Sequence, residues 1–198
     1  MNSFSHGGIG PGHHHWDPPE PRRAGPGEWP AFEAALAVVN HDVRATLPGQ
    51  DALILVAVPS YEPPPGDAVG GDQLYVAMPD GRWHGNPVNS SDLEEGGPPE
   101  PDDAAAVLAE VADAAQSTVM ELLWRAWPVC PAHQVGTHLW LAASDDPDGA
   151  GTDENDTDEN DTDEADPPAW WCGGGRGGTR HRLSLVGELA ATTVPGRP

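Results

Sequence analysis

The chain contains no lysine. Its nine basic residues are all arginine, and against 32 acids they leave a formal charge of −23 over 198 residues. Such an excess repels phosphate backbones, so nucleic acid is disfavoured as a partner unless a local basic patch escapes the trend. Long apolar runs are missing too. The longest, Ala52 to Val58, falls far short of the ~20 residues that a membrane-spanning helix needs. The opening residues, Met-Asn-Ser-Phe-Ser-His-Gly-Gly, lack the basic and apolar regions of a signal peptide, which points to a cytoplasmic address with no membrane partner. Cysteine is scarce, with two in the whole chain. In a reducing compartment such a pair is expected as thiols or metal ligands, not as a disulfide.

Glycine (24) and proline (23) are abundant, near the share at which disorder becomes the default for the segments that concentrate them. Residues 1–27 include the run Gly-Pro-Gly-His-His-His-Trp-Asp-Pro-Pro and show no hydrophobic periodicity. A disordered Gly/Pro/His-rich tail is expected there, in which His6 and His13 to His15 are incidental. Twelve acids lie between Asp145 and Asp166, where Thr-Asp-Glu-Asn-Asp recurs with a five-residue period. A repeat this polar cannot offset the entropy of ordering itself, so a disordered acidic segment is expected across 145–168.

The remaining segments alternate helical and strand-like patterns. Pro30 suits a first helical turn, and Phe32, Leu36, Val39, Val43 and Leu47 form one stripe before Pro48-Gly49. Ala52–Val58 is apolar at every position, which predicts a central strand covered on both faces. Gln73–Met78 reads as a second strand, with Pro79-Asp80-Gly81 turning into a third that begins Arg82-Trp83-His84. Residues 86–101 read as a surface loop. Asp102 and Asp103 are placed to cap a helix with Leu108, Val111, Ala115, Val119, Leu122 and Ala126 on one stripe, about 25 residues long if it reaches Trp127. Leu139-Trp140-Leu141, Ala169-Trp170-Trp171 and His181–Val186 are strand-like. The expected architecture is α+β. Two helices pack on a small antiparallel sheet over residues 28–127, and a zinc-ribbon-like β module follows over 128–194, interrupted by the acidic repeat.

The chemistry concentrates in that module. Cys130-Pro-Ala-His133 has two intervening residues, a spacing that lets a thiolate and an imidazole point at one ion, with Pro131 stiffening the turn. Cys172 and His181 offer a second pair. Eight residues separate these two, five of them glycine, which gives the loop freedom to fold back. His138 is the alternative ligand. Four such ligands would close a tetrahedron, so structural Zn2+ is expected, and a non-enzymatic binding or adaptor protein with an unidentified protein partner follows. Three alternatives stay open. The cysteines could pack as small hydrophobes. A three-ligand site with an open position could make a metal-dependent hydrolase, with Glu188 as the nearest acid outside the repeat. Arg176, Arg180 and Arg182 beside Trp170 and Trp171 could bind an anionic ligand or RNA. The space between Trp83, His84 and the second helix is a further candidate pocket.

Taken together, "LPGQDALILVAVP", "PDGRWHGN", "ELLWRAWPVCPAH" and "WWCGGG…H…VGEL" resemble small uncharacterised proteins of high-GC actinobacteria. The resemblance covers about residues 29 to 190 apart from the acidic repeat, and brings no activity with it. The CPAH knuckle looks like the first half of a zinc ribbon, a pattern from which the long Cys172 to His181 gap departs.

Overall fold

Helix α1 spans Pro30–Thr46, opens on proline, and buries Phe32, Leu36, Val39 and Val43 along the stripe its spacing predicts. The computed structural model of the protein describes residues 20–59, 72–89, 103–140, 167–175 and 178–190. Beyond the turn after α1, strand β2 (Ile54–Pro59) runs antiparallel to β3 (Asp72–Ala77), with Ile54 opposite Ala77 and Pro59 opposite Asp72. Its other neighbour is β1 (Arg22–Arg23), so the sheet order is β1-β2-β3 and β2 is central. Residues 20–27 therefore belong to the fold and not to a tail. The Arg22 guanidinium bonds both Glu28 and Asp72, and the Ala24 N–H donates to the Leu55 carbonyl at 3.0 Å. Residues 1–19 lie outside the described residues.

The two faces of this sheet explain the unbroken apolar run. Leu53, Leu55, Leu74 and Val76 face the helices. Ile54, Val56 and Ala77 form a smaller cluster on the other side, covered by Trp83, whose ring stacks against Tyr75 with centroids 5.0 Å apart. The third strand expected after the Pro79 turn is reduced to a single bridge between Ala77 and Trp83. The surface loop expected at 86–101 is pinned at its start. Val88 is buried and donates its N–H to the Leu74 carbonyl at 2.7 Å, and the Asn89 amide accepts from Leu74 N–H and donates to Asp72 O. Residues 90–102 lie outside the described residues.

Helix α2 spans Ala104–Leu123, and the Asp103 carboxylate accepts from the N–H groups of Ala105 and Ala106. Such a cap is worth roughly 1 kcal/mol. The helix stops short of Trp127 because Trp124 adopts a left-handed conformation, φ 52° and ψ 42°. Ala126, expected on the buried stripe, is consequently exposed. Two buried polar side chains on α2 fasten it to its neighbours. The Thr118 hydroxyl lies 2.9 Å from the Val76 carbonyl and accepts from His84 N–H, and the Gln116 amide donates to the carbonyls of Trp127 and Thr137.

The second sheet is formed by β4 (Thr137–Trp140), β5 (Ala169–Cys172) and β6 (His181–Leu185), all antiparallel in that order. It shares the main core through Trp170, Val186 and Leu189, with the Trp170 ring edge-on to Trp127 at 5.5 Å. Among the described residues the architecture is thus α+β, two helices and two three-stranded antiparallel sheets. One polar tie between the helices and the second sheet is Asp42, a fully buried carboxylate on α1. It accepts from Trp170 Nε1 (2.8 Å), Gly187 N–H (2.8 Å) and Leu189 N–H (2.9 Å). Gly187 has φ 90° and sits so close to Val38 that a Cβ there would overlap the valine side chain. The acidic repeat, 145–166, lies outside the described residues.

Candidate metal centre

Cys130 enters the second sheet on a tight loop. Its N–H donates to the Val135 carbonyl at 2.9 Å, and its own carbonyl accepts from Gln134 N–H at 2.8 Å. A bridge between Val129 and Gly136 closes the loop beneath, and Thr137 then pairs with Cys172. The β5–β6 register places His181 directly opposite Cys172. The eight intervening residues are therefore a hairpin connection, which their number alone does not reveal. Gly174, at φ 84°, and Gly178 approach so closely that a Cβ on either would overlap the other's backbone, and a Cβ at 178 would also meet His133 Nε2 at 2.7 Å. The fold-back needs glycine at both positions.

These two turns bring one ligand atom from each of Cys130, His133, Cys172 and His181 within 4.8 Å of one another. The sulfur of Cys130 is 3.7 Å from His133 Nδ1 and 3.6 Å from His181 Nε2, and His133 Nδ1 is 3.3 Å from the sulfur of Cys172. A tetrahedral ion with bonds of about 2.3 Å to sulfur and about 2.05 Å to nitrogen sets these edges at about 3.6 Å. The separations match that figure to within a few tenths of an ångström, so the four residues could hold a metal ion. His138, the alternative ligand, is exposed on β4 opposite Trp171 and takes no part.

The surroundings favour the thiolate at one cysteine only. Burial pushes both thiols up. Cys130, however, accepts from the backbone N–H groups of His133 and Ala132 and from the Cys172 thiol, which together bring it down to about 7, while Cys172 stays raised. Gly174 N–H also points at the Cys172 sulfur, at 3.4 Å. His181 Nδ1 lies 3.2 Å from the Thr179 carbonyl, an arrangement that holds the proton on Nδ1 and leaves the Nε2 lone pair for an ion. The same carbonyl, with the Cys130 sulfur, raises the His181 pKa.

The other candidates fall differently. Trp170, considered for base stacking, is buried and bonded to Asp42, which removes it from any ligand surface. Trp171 instead stands on the outer face of the sheet against Trp140, with ring centroids 5.5 Å apart and Arg182 opposite it in register. Arg180 is exposed, Glu188 is exposed on the turn after β6, and Arg176 lies outside the described residues, as do His6 and His13 to His15. The space near His84 is a real cleft of about 270 Å³, but it lies between α2 and β4, and Trp83 does not line it. Asp42 escaped the sequence reading altogether. A lone acid on a helix signals nothing when its partners are 128 to 147 residues away. Among the described residues no helix is long and apolar enough to cross a membrane. No family model matches the chain, and neither a curated protein nor a solved structure matches it.

Proposed function

We propose that the protein is a non-enzymatic binding or adaptor protein whose C-terminal sheet is a ribbon-like module closed by structural zinc at Cys130, His133, Cys172 and His181. The observation that carries this reading is the convergence of two sulfurs and two ring nitrogens within 4.8 Å of one another, with three sulfur–nitrogen separations near the edge of a tetrahedral site. Two thiolates neutralise a divalent ion, and mixed sulfur–nitrogen donors favour zinc over magnesium or calcium, which take oxygen. Four protein ligands fill the tetrahedron and leave no position for a reacting water, so the metal's role is to hold the fold. A reducing cytoplasm would keep both thiols available, and the motifs resembling actinobacterial proteins include both halves of the site.

Metal analysis of protein purified under reducing conditions tests the reading. One zinc per chain is expected, and Co2+ substitution should give the strong visible d–d bands of a tetrahedral S2N2 site. Protein with no stoichiometric metal, or an octahedral cobalt spectrum, would overturn it.

A further inference from the structure

The most conspicuous departure from ordinary folding economy is Trp124. It is 89% exposed and holds a left-handed backbone conformation at the end of α2, where glycine is the usual residue and a bulky one is strained. Strain of roughly 1–3 kcal/mol together with an exposed indole gives the isolated chain nothing, and strained residues of this kind collect at functional sites. Trp124 continues a row at spacings of three and four, Ser117, Met120 and Glu121, and Met120 is itself 40% exposed. Ser117, Met120 and Glu121 line the 270 Å³ cleft together with His84 and His138, and Trp124 follows them at the end of the helix, outside the lining.

We infer that this end of α2 is a docking face for a basic segment of a partner protein, which lays an apolar anchor into the cleft beside Met120 and packs against Trp124. This names the partner class of the binding protein proposed above and rests on that reading. At about 270 Å³ the cleft has room for one large side chain. Charge selects the partner. With nine arginines against 32 acids, nucleic acid, anionic lipid surfaces and a second copy of this chain are all repelled at long range, whereas a basic segment is drawn in. Glu121 is the one acidic or basic side chain lining the cleft apart from the two histidines, and it is placed to pair with a lysine or arginine that also meets the Trp124 ring. Exposed tryptophan and methionine are the residue types that interfaces enrich and that carry most of the binding energy.

The test compares wild type, Trp124→Gly and Met120→Glu for binding of a fluorescein-labelled peptide of alternating lysine and leucine and of its glutamate–leucine counterpart. Melting temperature and zinc content are read on the same samples. The basic peptide should bind wild type in a salt-sensitive manner, and both variants should bind it about tenfold more weakly or worse. Trp124→Gly should melt no lower than wild type, since glycine relieves the left-handed strain. Equal binding by wild type and both variants would assign the affinity to acids elsewhere and overturn the proposal. Absence of binding, or equal affinity for the acidic peptide, would overturn it as well. Full zinc content in a sample that fails to bind separates this failure from failure of the metal reading.

Discussion

The two sheets have three strands each and are held together by different means. In β1–β3 the paired strands β2 and β3 run for six residues, both faces are covered by side chains, and two helices lie across one of them. In β4–β6 the strands have four or five residues, one face sends Trp170 into the core, and one end converges on four cysteine and histidine side chains. A sheet that small has little apolar surface of its own and is ordered through what it packs against. Apolar burial is spread through the first region, while the second lends the core a few residues, Trp170, Val186 and Leu189, and adds polar contacts at fixed points.

Removing the zinc proposed for this site should expose that contrast most visibly. Structural zinc contributes on the order of 10 kcal/mol in small zinc folds. Chelation is therefore expected to abolish amide protection in β4–β6 while α1, α2 and β2–β3 stay protected, as followed by hydrogen exchange. Equal loss in both regions would mean that they form one cooperative unit and that the contrast is only geometric. The next largest effect is expected from Asp42→Ala. It leaves two buried N–H donors and one part-buried donor without an acceptor and should cost about 3 kcal/mol in denaturant midpoint analysis. A loss below about 0.5 kcal/mol would show that the donors find water and that Asp42 is not the tie between the regions.

Gly178→Ala sharpens the comparison within the second region, since the added methyl meets Gly174 and His133 but no core residue. A ten- to hundredfold loss of zinc affinity is expected, the range for disturbed outer contacts of a metal site, with the first sheet unaffected. Unchanged affinity in a competition titration would show that the glycine turn is looser than its geometry. The smallest effect belongs to the exposed clamp at β1. Arg22 and the Gly25 N–H lower the Glu28 pKa from 4.5 to about 2. A depressed acid adds stability above its unfolded value and loses it as pH falls, so this increment should be complete above about pH 4.5 and vanish near pH 2. Because the pair is exposed, it should also fade with salt. A pH profile of stability that is identical in Arg22→Ala would remove the clamp as the reason β1 is ordered.

The parts of the fold that were legible in the sequence are those whose signal repeats. The three-and-four stripe of α1 and the unbroken apolar run of β2 declare their burial, and Asp103 declares a helix start. The four candidate ligands were legible because thiol and imidazole are rare donors and Cys130-Pro-Ala-His133 has a turn's spacing, even though only the β5–β6 register explains how His181 reaches Cys172. What escaped depends on single residues acting over distance. A two-residue strand such as β1 has no period. The end of α2 is set by a tryptophan in a conformation that normally announces itself through glycine. Trp170 and Trp171 are adjacent and alike in sequence, yet alternation sends one into the core and the other to the surface.

The Asp42 contact also sets an order of events during synthesis. Its last donor, Leu189, is 147 residues downstream, and at the usual 5–20 residues per second it emerges roughly 7 to 30 s after the carboxylate itself. Through that interval the nascent chain carries a hydrated charge at the surface where the second sheet will later sit. Such a charge discourages the exposed helix from burying that face prematurely against another chain. Gly187 and Leu189 thus arrive at a place that electrostatics has kept vacant for them.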